Sequence, residues 1–487
     1  MNTGNTLGKQ LALISGPVLF FIFHFFISFG ETTQAPTMAG IMLWMAVWWV
    51  AESVPLGITA LLPIVLFPMT GVMDTKEVTP HYGNHIIFLF LGGFLVAYAM
   101  EKWDLHKRIA LGIIKQTGTS PHRILLGFML SSYLLSMWIS NTATTMMLIP
   151  PAIATASQLE NLESKKTKLF NVFLFLGIAY SSSIGGISTL VGTPPNLIFY
   201  NFYNTYLTDQ FNISFFNWML FALPTSLLFF VIVYWYFKFH LRNTTLNINP
   251  KIIYETYTAL GPISWEQKIV AYVFSALAIT WMTRSDIDFN SFVIPGWNRF
   301  FPSKIEDSSV AVFFALVLFV IPSKNQKGNY LLSIKELKKI PMNILLLFGG
   351  GFALAQGVVS SGLGDFLASL MGGFQSLPSV VLVGVICLLL LFFTEISSNS
   401  AALQLALPIL LPLSQGLDIP SWMILIPSTI ACSFAFMLPI STPPNAIIFE
   451  SGRVEVKDMV RYGFILNLIG IAVLLIATFG WGGFIFG

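Results

Sequence analysis

Two short stretches place hydrogen-bonding side chains where apolar ones dominate. Ser140, Asn141 and Thr142 interrupt "WISNTATTMM" (138–147), and Ser398, Asn399 and Ser400 interrupt "EISSNSAALQ" (395–404). Two more, "GTPPNLIFY" (192–200) and "STPPNAIIFE" (441–450), repeat Thr-Pro-Pro-Asn in similar surroundings. Amides and hydroxyls supply neutral oxygens for a hard cation such as sodium, and N–H and O–H donors for an anion. No Arg or Lys lies in these stretches to clamp a carboxylate with two parallel bonds. Recognition of an anion there would rest on hydroxyls, amides, helix dipoles and bound cations. Cys387 and Cys432 both fall in apolar runs and read as buried thiols, which argues against a metal or disulfide framework.

The elements that must position these groups are membrane helices. The 487 residues are 55% hydrophobic and only 10% charged, and the mean hydropathy is +0.76, above what a soluble domain tolerates. Apolar runs occur at 11–29, 38–53, 57–73, 86–101, 169–190, 218–238, 268–284, 309–322, 343–360, 421–439 and 462–486. At ~20 residues per crossing they predict about eleven spans. The first run follows Lys9 as a signal peptide would, but no small-residue cleavage site follows it, so it reads as a retained helix. Basic segments at 101–123, 163–168, 238–245, 323–329 and 335–339 contrast with 31–37 and 203–214, which carry no Lys or Arg. The positive-inside rule then puts the N-terminus in the cytoplasm and the C-terminus outside, in a multi-pass protein of the cell membrane. The net charge of +3 forms no basic block and gives nucleic acid no footprint.

The chain also repeats itself. Aligning "FLFLGGFLVA" (88–97) with "LLLFGGGFALA" (345–355) on Gly92-Gly93-Phe94 and Gly350-Gly351-Phe352 gives an offset of 258, and Ser140 and Ser398 give the same offset. The Thr-Pro-Pro-Asn copies are 249 apart, a shortfall expected to lie in the charged loop 157–168, since loops absorb insertions. Five passes separate the copies if 124–154 re-enters the membrane instead of crossing it, so the second copy is expected to be inverted and its hairpin, 379–412, to dip in from the other side. Inverted repeats with interrupted helices mark secondary transporters whose site lies near the bilayer midplane. Each Pro-Pro pair is expected to unwind a helix and free carbonyls for a cation.

These paired hairpins and paired Thr-Pro-Pro-Asn segments resemble the divalent anion/sodium symporter family. The run "CSFAFMLPISTPPNAII" (432–448) is similar to that family's C-terminal signature, departing at Ile448 where valine is usual. The resemblance covers essentially the whole chain. It implies an all-α membrane protein, about eleven transmembrane helices plus two re-entrant hairpins, built as an inverted-repeat elevator-type transporter. It implies sodium ions as the coupling partner, a small anionic substrate, a lipid bilayer setting and a homodimer. Carried over by position, Ser136, Asn141 and Gly192 match one sodium site, and Thr394, Ser397, Asn399 and Ser441 match the other. Ser140, Asn141, Thr142, Thr193, Ser398, Asn399, Ser400 and Thr442 match the substrate contacts, Ser400 departing from the threonine of many members. Residues 1–123 and 265–371 are then the two parts of a scaffold, 241–264 a cytoplasmic linker, and 124–240 and 379–487 the two repeats of a mobile transport domain. The implied activity is sodium-coupled symport of a C4-dicarboxylate such as succinate, malate or fumarate. Sodium-independent exchange of dicarboxylate or citrate, and sulfate symport, are the alternatives within the family.

Plainer readings stand beside these. A lone Ser-Asn-Thr in a membrane helix usually bonds a neighbouring helix, and it is the shared offset that argues for a site. Glu395, an ionisable residue in an apolar run, either tunes the adjacent cation site or is held by structural donors. Glu52, at a span end, and His24, among phenylalanines, read as structural. "GLGD" (362–365) matches the short signature of intramembrane aspartyl proteases, but the other candidate, Asp104, lies in a charged loop, so the shared-proton pair that chemistry needs is lacking. A channel would carry pore-lining repeats without paired cation sites.

Overall fold

The computed structural model describes the chain except for residues 1–5, 30–33, 119, 159–164, 208–212, 243–250, 289–292, 327 and 371–375, so the basic loop at 163–168 and the linker at 241–264 lie partly outside the described residues. The described residues are mainly helical and include a two-residue antiparallel ladder pairing Ile287 with Ile294 and Asp288 with Val293. The first layer comprises α1 (Thr6–Phe26), α2 (Ala35–Ala51), α3 (Leu56–Thr59), α4 (Leu62–Thr70) and α5 (Thr75–Val78). Then come α6 (His85–Lys102), α7 (Leu105–Thr117), α8 (Pro121–Ser136), α9 (Asn141–Ser157), α10 (Lys165–Gly186), α11 (Pro194–Tyr206) and α12 (Phe215–His240). After α13 (Lys251–Ala259) follow α14 (Trp265–Met282), α15 (Asp307–Val320), α16 (Met342–Ser360), α17 (Leu363–Ser369), α18 (Ser379–Ile396) and α19 (Asn399–Gly416). The chain closes with α20 (Ser421–Ala431), α21 (Pro443–Glu450), α22 (Val456–Ala477) and α23 (Gly483–Phe486).

Seven helical segments among the described residues are long and apolar enough to cross a membrane. Six coincide with the apolar runs, and the seventh, Ser379–Ile396, is the first arm of the expected second hairpin. The runs at 38–53, 57–73, 309–322 and 421–439 fall on helices of 17 residues or fewer, and the run at 268–284 falls on α14. Both expected hairpins are helix–turn–helix units, α8–α9 and α18–α19, whose turns carry the polar triplets. The helix boundaries keep the repeat: α7, α8 and α9 start 258 residues before α17, α18 and α19 (399 − 141 = 258), and α6 pairs with α16 to within one residue. The match extends to backbone conformation. Asp104 (φ 54°) and Gly362 (φ 74°), also 258 apart, both turn the chain through the left-handed region. "GLGD" is therefore a turn of the repeat, with Asp365 in the first turn of α17.

One expectation is overturned here. The prolines do not break helices: Pro194-Pro195 and Pro443-Pro444 begin α11 and α21, where the missing N–H costs nothing. The non-helical backbone precedes them, at 187–193 and at 432–442. Part of the segment 157–168, where the nine-residue shortfall is expected, is helix: α10 begins at Lys165 and has 22 residues against 11 in α20. The extra turns of α10 carry its polar start, Lys165 and Lys166, away from the core.

Helix α10 is the centre of the fold, with every residue from Phe170 to Gly186 buried. A helix apolar on all sides belongs inside. It packs on α8, where Gly185 lies against the Tyr133 backbone, too close for a side chain. The two halves interlock crosswise: α9 packs on α21, and α19 packs on α11. On the other side of α11, the Tyr200 hydroxyl donates to Asp307 (3.3 Å), which is 1% exposed and paired with Arg284 (2.5 Å). Tyr206 likewise donates to Gln356 on α16 at 3.2 Å. His24 bonds Thr37 (2.9 Å) and stacks on Phe20, a packing role. Glu52 takes a left-handed φ of 45° at the end of α2.

Candidate functional site

The first half-site forms where α8 ends, α9 begins and α10 unwinds. Ser140 caps α9, its hydroxyl accepting from the Ala143 N–H at 3.2 Å. This places Asn141 in the first turn, where its Oδ1 accepts from Ser136 Oγ at 2.5 Å. Gly186 lies against that same Oδ1, and Gly192 packs against the carbonyls of Gly186 and Ser136, leaving no room for a Cβ. The structure thus brings Ser136, Asn141 and Gly192 together, with Gly186 beside them. The unwound strand is tied down from within. Thr189 Oγ1 donates to the Met137 carbonyl (2.5 Å) and accepts from the Gly192 N–H (3.1 Å).

The second half-site uses the same plan with one substitution. Ser398 and Asn399 begin α19 as Ser140 and Asn141 begin α9. Ser397 Oγ and Asn399 Oδ1 are buried and have no hydrogen-bond partner among the described residues. Two orphaned oxygens two residues apart fit a cation, since burying such atoms unpaired is otherwise costly. Thr394, buried beside them, bonds back to the Leu391 carbonyl, and Ser441 Oγ donates to the Leu438 carbonyl at 2.6 Å. Glu395, at the position of Met137, holds the unwound strand with its side chain. Its carboxylate accepts from the N–H groups of Phe436 (2.9 Å), Met437 (2.9 and 3.1 Å) and Leu438 (3.1 Å), and from Asn467 Nδ2 on α22 (2.7 Å). Glu395 is therefore held by structural donors in a strand that leads to Ser441.

The Asn of each Thr-Pro-Pro-Asn has a role the sequence does not disclose. Asn196 Nδ2 donates to the carbonyls of Gly186, Ile187 and Thr189, and Asn445 Nδ2 to those of Ala435 and Leu438 and to Ser441 Oγ. The carbonyls freed by unwinding are thus partly satisfied by the motif itself. Thr193 and Thr442 are the N-caps of α11 and α21, both buried, and only Thr442 accepts a capping bond, from Asn445 N. Ser400 is buried in the first turn of α19, and Thr142 is half-buried in that of α9. Tyr180 joins the halves, donating to the Phe436 carbonyl at 2.6 Å. Asn467 and Thr189 also escaped sequence reasoning, although a lone Asn in the apolar α22 was a usable signal. A narrow cleft beside the first turn is lined by Gly93, Phe94, Trp138, Ser140 and Val191.

A helical, multi-pass membrane protein whose halves bring matched oxygen-bearing turns and unwound strands together has the layout of a secondary transporter. The sequence profile of the family described as "Sodium:sulfate symporter transmembrane region" matches residues 9–487. A protein of Staphylococcus saprophyticus named sodium-dependent dicarboxylate transporter SdcS is 38% identical, covering 98% of this chain and 92% of that one. Its namesake from Staphylococcus aureus strain bovine RF122 is 37% identical over 97% of this chain and 91% of its own. In fold, the chain is similar to the Alcanivorax borkumensis YdaH transporter (TM-score 0.59, 13% identity, 87% of this chain and 89% of that one). It is also similar to Neisseria gonorrhoeae MtrF, of a class of antimetabolite efflux pumps (TM-score 0.57, 14% identity, 82% and 83%). The chain belongs to the sodium:sulfate symporter family. It is a transporter and not an enzyme, which retires the protease reading.

Proposed function

We propose that the chain is a secondary active transporter that couples uptake of a C4-dicarboxylate, such as succinate, malate or fumarate, to sodium. The observation that carries this is the pair of matched oxygen sets, one of which leaves Ser397 Oγ and Asn399 Oδ1 without a hydrogen-bond partner among the described residues. Ser136, Asn141 and Gly192 would hold one sodium ion, and Thr394, Ser397, Asn399 and Ser441 another. The hydroxyls and amides of Ser140, Asn141, Thr142, Thr193, Ser398, Asn399, Ser400 and Thr442, with the N-termini of α9, α11, α19 and α21, would meet the anion. The names of the SdcS relatives support dicarboxylate over sulfate. Uptake into liposomes from a panel of anions, with and without a sodium gradient, tests the assignment. Sodium-driven accumulation of succinate is expected, whereas sulfate-only uptake or gradient-independent exchange would overturn it.

Ser400 is the proposed selectivity position. One added methyl in a pocket is worth roughly 1–3 kcal/mol of discrimination. Ser400→Thr is expected to reorder the anion ranking in the same uptake panel while transport continues. An inert variant would show that Ser400 only packs.

The movement we propose is of the elevator type, in a homodimer whose chains each make about eleven crossings with two re-entrant hairpins, N-terminus inside and C-terminus outside. Because the halves interlock crosswise, residues 124–240 and 379–487 would travel together past a scaffold of 1–123 and 265–371, with 241–264 as linker. Tyr206 on α11 and Gln356 on α16 meet across that boundary. Cysteines at these positions, joined by a bifunctional maleimide, should stop sodium-driven uptake yet leave substrate binding intact. Full transport with the crosslink complete would favour a local gate.

A further inference from the structure

The first copy of the repeated Gly-Gly-Phe motif lines the cleft beside Ser140, and the two copies stand in opposite states. On α16, Gly351 receives the side chain of Gln404 from α19, so that a Cβ there would overlap the amide. Gln404 is 2% exposed, and neither its Oε1 nor its Nε2 has a hydrogen-bond partner among the described residues. Gly93, the counterpart 258 residues earlier on α6, is open: a Cβ there would meet only Val191 at 3.7 Å and Trp281 at 3.9 Å. Met146, the counterpart of Gln404 on α9, is 59% exposed instead of seated on Gly93. Gln404 sits where a polar amide is least suited, buried and unpaired.

We propose that Gly351 and Gly93 are alternate docking slots for the two hairpins, filled in turn by Gln404 and Met146, and that this pair biases the resting protein toward the state with Met146 docked. The proposal rests on the two-state transport reading above and assigns residues to its closed contacts. In the structure described here the second hairpin is docked and the first is free. In the opposite state Met146 would be buried on Gly93, and Gln404 would be released to water. The release of Gln404 is favourable, and satisfying a buried amide shifts such a balance by about tenfold. The asymmetry between Gln and Met at matched positions gives the two states unequal energies through residues outside the proposed substrate contacts.

The test uses full-length protein in liposomes carrying Met146→Cys, labelled by a membrane-impermeant maleimide supplied on both faces; the native Cys387 and Cys432 are buried. Adding Gly93→Ala fills only the slot that is open here, and labelling at position 146 is expected to quicken. Gly351→Ala displaces the end of the flexible Gln404 side chain, so labelling should slow by about tenfold. Gln404→Met, a volume-conserving change at the docked slot, should quicken labelling by a similar factor and guards against misfolding of the glycine variants. Equal labelling rates in the Gly93→Ala, Gly351→Ala and Gln404→Met backgrounds would overturn the proposal. Sodium-driven succinate uptake by the unmodified chain is measured alongside. Its absence would count against the transport reading, whereas the contrast in labelling tests the slots by themselves.

Discussion

Replacing Asn399 with alanine should abolish sodium-driven uptake without lowering the stability of the sodium-free protein. The side-chain oxygen of Asn399 is buried and bonded to nothing among the described residues, so its removal takes no hydrogen bond from the folded chain. A cation in that place would lose a direct ligand, costing more than the roughly 10–100-fold in affinity that even outer-shell partners of metals carry. Asn141→Ala should abolish uptake as well, but it also removes the bond from Ser136 and should destabilise the sodium-free fold by about 1 kcal/mol. Thermal melting with and without sodium separates the two effects. Wild-type protein should melt higher in sodium, as a ligand that binds only the folded state requires, and both variants should lose most of that increment. Sodium-dependent uptake at the wild-type rate in either variant would remove the residue from the cation sites.

Glu395→Gln should be among the most destabilising single changes available in the second half of the fold. The carboxylate accepts from three consecutive backbone N–H groups and from Asn467, and it has no donor of its own to satisfy. An amide of the same shape keeps one acceptor but turns an NH2 group toward backbone donors. Hydrogen bonds to a charged group are worth about 1.5–3 kcal/mol each, and losing two inside the protein should cost about 3 kcal/mol or more. The expected result is a melting temperature lowered in parallel with uptake, because the strand from Ala435 to Ser441 loses its anchor. A variant that melts like wild type while its sodium dependence weakens would show that Glu395 acts on the cation directly.

Much of the site was legible because the repeat is written in residues that cannot be exchanged cheaply. A triplet of small polar side chains in an apolar run, and a glycine pair at a close helix contact, mark their own positions, and one offset joins them. The offset also located both hairpin turns. The helix beginning at Leu363 was not legible, because its link to Leu105 is a shared left-handed turn made by Asp104 in one copy and Gly362 in the other. Chemistry hid what conformation kept. The donors to Glu395 could not be read either: backbone N–H groups have no sequence signature, and Asn467 lies 72 residues away. The prolines misled for a related reason. Proline forbids a helix interior but favours the first turn, and only the fold shows which of the two a Pro-Pro pair occupies.

The crosswise packing of α9 on α21 and of α19 on α11 has a consequence for how the protein is made. Each half-site is built within its own repeat, but α9 meets α21 about 300 residues further along (443 − 141 = 302) and α19 meets α11 about 200 residues back (399 − 194 = 205), so neither repeat carries the packing that brings the half-sites together. At about 5–20 residues per second, α21 leaves the ribosome roughly 15–60 s after the start of α9. Throughout that interval the turn at Ser140 and Asn141 is in the membrane without α21 beside it. Polar groups at that depth are costly to leave unpaired, so the nascent chain must keep the first hairpin in a wet or protein-lined place until its partner arrives. Assembly of this transporter is thus a late, whole-chain event, and a ribosome that stops early leaves a membrane-bound half with its binding turn open and nothing to bind.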